Sequence, residues 1–180
     1  GVYANGITGC TLRNNDFELV ERSITYTGVE DIKFGSKPRG IYTYESFGFK
    51  IQDNTLHSPT MGTLVAAEAI VVGYSRDHND KVWKNTATNL STGFVGEGVC
   101  ASTEPGGYSA IIGLQKYCNT NSNVSTNLYS RKITGEDDQD EHTIRTIQAS
   151  GGRGADNALD GWGGETEKWD CYVDTDHAIT

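Results

Sequence analysis

Phe49-Lys-Ile-Gln-Asp-Asn54-Thr-Leu56 decides the fold, because its pattern recurs with the asparagine in the same place. The companion stretches are Cys10-Thr-Leu-Arg-Asn-Asn15-Asp-Phe17, Asp80-Lys-Val-Trp-Lys-Asn85-Thr-Ala87 and Leu114-Gln-Lys-Tyr-Cys-Asn119-Thr-Asn121. Leu12, Ile51 and Val82 stand three residues before the asparagine, and Phe17, Leu56 and Ala87 stand two after it. The fourth copy is degraded, with Lys116 and Asn121 in those slots. A second apolar run precedes each phrase: Val2-Tyr3, Ile41-Tyr42, Ile70-Val71-Val72 and Ile111-Ile112. Repeats of strand, turn and strand are the mark of a solenoid. Each copy reads as one coil of an all-β, right-handed parallel β-helix.

The asparagines are expected at equivalent bends, in the left-handed conformation that Asn tolerates better than other non-glycine residues. Stacking at roughly the 4.8 Å strand spacing would let their amides hydrogen-bond as a ladder. The separations, 39 (15 to 54), 31 (54 to 85) and 34 (85 to 119), imply loops of unequal length at the corners. Leu12, Ile51 and Val82 should point inwards in one stack, and Ile41, Ile70 and Ile111 in another. The competing reading is four accidental turns in an Asn-rich β protein, but strand, Asn and second strand recur together.

Composition agrees. The chain has 180 residues, enough for one domain with a sizeable core, and its 22 glycines against 3 prolines punctuate turns. No apolar stretch is long enough to span a bilayer, so membrane insertion is not expected. The opening at Gly1, inside a repeat, reads as a mature or excised piece of a longer secreted protein. A net charge of −9 disfavours nucleic acid and anionic membranes as partners.

Three regions follow. Residues 1–133 carry the coils, 134–154 form an acidic and Gly-rich connector in which Ile144 and Ile147 mark one more short strand, and 155–180 form an irregular terminal coil or cap. Leu64-Val-Ala-Ala-Glu-Ala69 is the only segment of helix-forming composition, and it runs into the Ile70-Val71-Val72 strand. In the acidic run Glu136–Glu141, Asp137, Asp138 and Asp140 are candidate calcium ligands, although a solvated acidic loop is the plainer reading.

The cysteines are Cys10, Cys100, Cys118 and Cys171, without zinc spacing. A Cys100–Cys118 disulfide would close the intervening loop, constraining the unfolded chain by about 3 kcal/mol and fitting an extracellular address. The alternative is four buried thiols. Cys10 and Cys171, near opposite ends of the repeats, are expected unpaired.

The Asn15 and Asn54 phrases resemble right-handed parallel β-helix repeats of the pectate-lyase superfamily type. The stretch from Gly40-Ile-Tyr-Thr-Tyr44 to Lys132, with Ser75-Arg-Asp-His-Asn-Asp80 and Gly113–Asn121, is similar to β-helix segments of large secreted bacterial cell-surface proteins. The resemblance implies the fold across roughly three-quarters of the chain and says little about activity, because this superfold hosts lyases, hydrolases, adhesins and stalks.

It also frames the candidate sites. Calcium-dependent polysaccharide lyases of this fold use acidic ligands and a Lys or Arg base; Asp77, His78, Asp80 and Lys81 with Arg76, and Arg131 in Ser130-Arg131-Lys132, would be the counterparts here. Asp77–Asp80 is also an ordinary turn, and that reading leads. The paired aspartates and Gly-His-Gly of the hydrolase branch do not occur. A non-catalytic structural or adhesive module would instead contact carbohydrate or other cell-surface components through aromatic platforms, with Tyr42, Tyr44, Trp83 and Trp162 as candidates, and would adjoin neighbouring domains of a longer chain. Ice binding needs Thr-x-Thr ranks, and Thr25-Tyr-Thr27 and Thr86-Ala-Thr88 do not recur in register.

Overall fold

The computed structural model describes residues 1–20, 37–59, 65–76, 78, 80–100 and 114–131, with short strands at 143–144, 158–159 and 172–173. Among these residues every regular element is a strand and every pairing is parallel. Each Asn phrase supplies a short strand before the asparagine. These are β2 (Thr11–Arg13), β5 (Lys50–Gln52), β8 (Lys81–Trp83) and β11 (Gln115–Tyr117), which form one four-stranded sheet.

The strands after the asparagine are β3 (Asp16–Glu18) and β6 (Thr55–His57), and β6 pairs with the start of β9 (Thr86–Glu97). The runs ahead of the phrases are β1 (Val2–Asn5), β4 (Arg39–Tyr44) and β7 (Val65–Gly73), and β7 pairs with the rest of β9. One long strand in the third repeat therefore does the work of two separate strands in the second. Asn89 makes this bend in β9, at φ 58°, and Asn123 repeats it in β12 (Thr120–Arg131), at φ 50°. Asn123 Nδ2 donates to Asn89 Oδ1 at 2.8 Å. Beyond β12 lie β14 (Ala158–Leu159) and β15 (Tyr172–Val173); β10 (Val99–Cys100) pairs with β13 (Thr143–Ile144), the short strand expected at Ile144. The parallel sheets curl into a half-barrel compatible with a β-helix or solenoid-like fold.

The core follows from register. Leu12, Ile51 and Val82 align, and Ile51 and Val82 are fully buried. Lys116 takes the next place in this inward column. Its Nζ donates to the Asn127 carbonyl at 3.1 Å and lies 5.3 Å from the Phe94 ring centroid. Phe17, Leu56 and Ala87 form a second column that ends on Asn121. A Cβ on Gly93 would meet the Asn121 amide, so any larger residue there must displace that side chain where the interior becomes polar. In the third column Ile41 and Ile70 align with Phe94 and Leu128. Phe94 thus holds the place expected of Ile111, which lies outside the described residues.

Two local expectations change. At the repeated bends the left-handed residues are Asn14, Asp53, Lys84 and Cys118, at φ 53–57°, each one position ahead of the repeated asparagine. The asparagine is the hydrogen-bonding member of the bend, and its neighbour takes the strained backbone. The helix-favouring stretch before Ile70 is strand from Val65, with Ala67 and Ala69 fully buried. Pairing with β4 and β9 on either side supplies backbone partners that a short helix would forgo, and propensity is a weak prior against that.

The asparagine ladder itself is complete. Asn15 Nδ2 donates to Asn54 Oδ1 at 2.9 Å, Asn54 Nδ2 to Asn85 Oδ1 at 2.9 Å, and Asn85 Nδ2 to Asn119 Oδ1 at 3.0 Å. Each Oδ1 also accepts the backbone N–H of the preceding asparagine in the ladder. The remaining amide hydrogen of Asn54, Asn85 and Asn119 goes to the carbonyl of Leu12, Ile51 and Val82 respectively. The interior asparagines are buried, so this saturation is a condition of the bend being dry.

Candidate functional site

The interior offers no ligand site around the third bend. The cavity lined by Leu56, Ile70, Val82, Phe94, Lys116 and Asn121 is about 10 Å³, room for one water at most. Among the described residues, the groups that could meet a partner are on the outer sheet faces.

The outer face of the β2–β5–β8–β11 sheet follows from the inward column, since neighbours of an inward residue point out. Two columns result: Thr11, Lys50, Lys81 and Gln115, and Arg13, Gln52, Trp83 and Tyr117. Trp83 and Tyr117 are half-buried and stack, with centroids 5.7 Å apart and planes 19° from parallel. Lys84, from the left-handed bend row, sets its Nζ 4.8 Å from the Trp83 centroid. Burial first, and then the neighbouring Cys118, hold the Tyr117 phenol above its usual value, so it remains a neutral donor near pH 7. Sequence reading picked out Trp83 and Lys81 but missed Arg13, Lys50, Lys84 and Tyr117. The signal was present in the positions one, two and four before each asparagine.

The other aromatic candidates sit on the β1–β4–β7 sheet. Tyr42 is only 6 % exposed, packed with Val71 and Val95. The Arg39 guanidinium lies 4.3 Å from its centroid, and the Tyr3 ring centroid lies 5.3 Å away. Tyr44 is half-buried and meets Tyr42 and Tyr74 edge-on. Arg39 bridges two buried carboxylates, Nε to Glu68 at 3.1 Å and Nη2 to Glu97 at 2.9 Å. Burial, followed by the Glu97 charge, pushes the Tyr42 hydroxyl far up. Trp162, Asp77 and the calcium candidates Asp137, Asp138 and Asp140 lie outside the described residues. Among the described residues, no three acidic, His or Cys side chains gather as a metal site.

The polar loop is divided by the fold. His78 is exposed and stacks on Phe47 at 4.3 Å, whereas Lys81 faces outwards from β8. Arg131 ends β12, in the other sheet, in register with Glu97. Asp80 is fully buried: Oδ1 accepts the Phe49 N–H at 3.0 Å, and Oδ2 accepts the Ser75 hydroxyl at 2.8 Å. It ties one corner to the preceding repeat. Burial raises its carboxyl above the ordinary value, against the lowering effect of those hydrogen bonds. The protonated form is thus favoured on folding, so stability falls as pH rises from the unfolded carboxyl value through the folded one. Asp80→Asn keeps the Phe49 bond on its Oδ1 and reverses the Ser75 one, its Nδ2 donating to the hydroxyl. It should flatten that part of the pH–stability curve, with a loss below about 1 kcal/mol at neutral pH. Asp80→Ala should cost about 2–3 kcal/mol by stranding the buried Phe49 N–H. Urea unfolding across the acid range separates the two.

The expected Cys100–Cys118 bridge is absent; both thiols are free, as is Cys10. Cys100 is fully buried with Sγ 3.5 Å from the Val72 and Glu97 carbonyls, whereas Cys118 occupies the half-buried left-handed bend before Asn119. Burial pushes the Cys100 thiol up to about 12. Cys118 is therefore expected to alkylate in the native protein and Cys100 only on unfolding. Peptide mapping after timed iodoacetamide treatment checks this, and an oxidised Cys100–Cys118 peptide would contradict it. No protein-family model, curated protein or solved structure matches the chain.

Proposed function

We propose that this chain is a right-handed parallel β-helix segment of a secreted cell-surface protein, serving as a non-catalytic structural or adhesive module that contacts carbohydrate. The observation that carries the reading is the Trp83–Tyr117 pair. The two rings stack on each other in adjacent repeats of one sheet face, and their outer edges form an apolar strip against which the apolar face of a pyranose can pack. Stacked parallel repeats, with a saturated asparagine ladder beneath, hold the platform without the reorganisation that a loop would need on binding. Neighbouring domains of a longer chain and cell-surface glycans are the partners this implies. The polar loop supports the non-catalytic side of the reading, because Asp80 is committed to Phe49 and Ser75 and is withdrawn from solvent.

Affinity electrophoresis through gels containing dextran, xylan or polygalacturonate tests it. Retardation by at least one glycan is expected, and Trp83→Ala should weaken it by about tenfold, the loss of one ring platform. Retardation unchanged in that variant would remove the platform from the argument. Calcium-dependent release of unsaturated product from polygalacturonate, abolished in Lys81→Ala, would replace this reading with the lyase.

A further inference from the structure

We propose that the outer face of the β2–β5–β8–β11 sheet selects acidic polysaccharides, with Arg13, Lys50, Lys81 and Lys84 contacting uronate or sulfate groups directly while Trp83 and Tyr117 hold the sugar rings. The inference rests on the carbohydrate reading and gives it a chemical class. Register carries it. Lys50 and Lys81 are neighbours in one outward column, Arg13 heads the other, and Lys84 stands beside Trp83 in the bend row. Among the described residues none of these four cations is in an ion pair. The one acidic side chain in the same strands or bend row is Asp53, which accepts from Gln52 Nε2 at 3.2 Å. Asp80, which precedes Lys81, is turned inwards and buried.

The arrangement reverses what net charge suggests. A chain of −9 would repel a polyanion on average, but at physiological ionic strength a charge is felt over only about 8 Å. A ligand on this face meets mostly the local cations. Their placement fits a glycan better than other polyanions. Lys81, Trp83 and Lys84 follow one another along β8 and its bend, with Lys50 and Tyr117 on the strands either side, about 4.8 Å away, close to the length of one sugar residue. Nucleic acid carries a denser phosphate array and needs a broader basic surface than four side chains provide. Direct ammonium contacts also make a bridging calcium ion unnecessary.

The test is affinity electrophoresis in EDTA with polygalacturonate and dextran sulfate as acidic probes, and dextran and xylan as neutral ones. Single-stranded poly(dT) and phosphatidylserine vesicles serve as competitors. Tight retardation by an acidic glycan is expected, weakening with added salt. It should fall at least about tenfold in Lys50→Gln/Lys81→Gln/Lys84→Gln and return in the matching Lys→Arg triple variant. Because these side chains are on the surface, both triple variants should melt with the parent protein. Acidic-glycan binding that needs calcium, or that survives the Gln triple variant, overturns the inference. So does stronger competition by poly(dT) or vesicles than by acidic glycan. Neutral-glycan retardation that persists without acidic preference sinks this inference alone. Loss of all glycan retardation sinks the carbohydrate reading with it.

Discussion

Replacing Asn85 with alanine is expected to destabilise the protein by about 3–4 kcal/mol. Its Oδ1 accepts both the backbone N–H and the Nδ2 of Asn54, and its Nδ2 donates to the Ile51 carbonyl and to Asn119 Oδ1. Truncation strands the buried Asn54 N–H, removes a donor from Ile51 and enlarges the small cavity that Asn85 lines. An orphaned buried group costs about 1–3 kcal/mol, and the cavity adds to it. In a chain of this size the loss corresponds to a fall in melting temperature of roughly 6–16 °C. Asn85→Asp, nearly the same shape, should be at least as damaging, because its carboxylate turns lone pairs towards Ile51 O and Asn119 Oδ1 and buries a charge. Asn15→Ala, at the exposed end of the ladder, should cost less than about 1 kcal/mol. Equal effects at Asn15 and Asn85, measured by urea unfolding, would refute the ladder as a source of stability.

Arg39→Met is expected to cost about 3–5 kcal/mol, the typical consequence of removing one partner from a buried ionic cluster. The guanidinium is the shared partner of Glu68 and Glu97, whose side chains are 1 % and 6 % exposed. Without it two buried carboxylates on adjacent strands lose the guanidinium they share. Arg39→Lys should recover only part of the loss, since one ammonium cannot reproduce the fork that reaches both acids. The combined Arg39→Met/Glu68→Gln/Glu97→Gln variant should be more stable than Arg39→Met alone, because the charges leave together. A single variant within about 1 kcal/mol of the parent, or no recovery in the combined one, would show that the cluster contributes little.

The repeated phrases determined a good deal without any structure. Spacing alone placed Asn15, Asn54, Asn85 and Asn119 on one row and Leu12, Ile51 and Val82 on one inward column. Both follow from local periodicity: an inward residue three before a buried hydrogen-bonding bend is a relation within eight residues of chain. Tertiary structure decided the rest. It put the left-handed strain on Asn14, Asp53, Lys84 and Cys118, residues with no common chemistry to mark them. It kept the Val65 stretch in a strand and put Phe94 into the column expected of Ile111. It also left Cys100 inside the core and Cys118 at a bend, unbonded. The cationic and aromatic face is of the same kind. Arg13, Lys50, Lys81 and Tyr117 lie tens of residues apart and become neighbours through strand register, which connecting segments of unequal length conceal until the hydrogen bonds between repeats fix it.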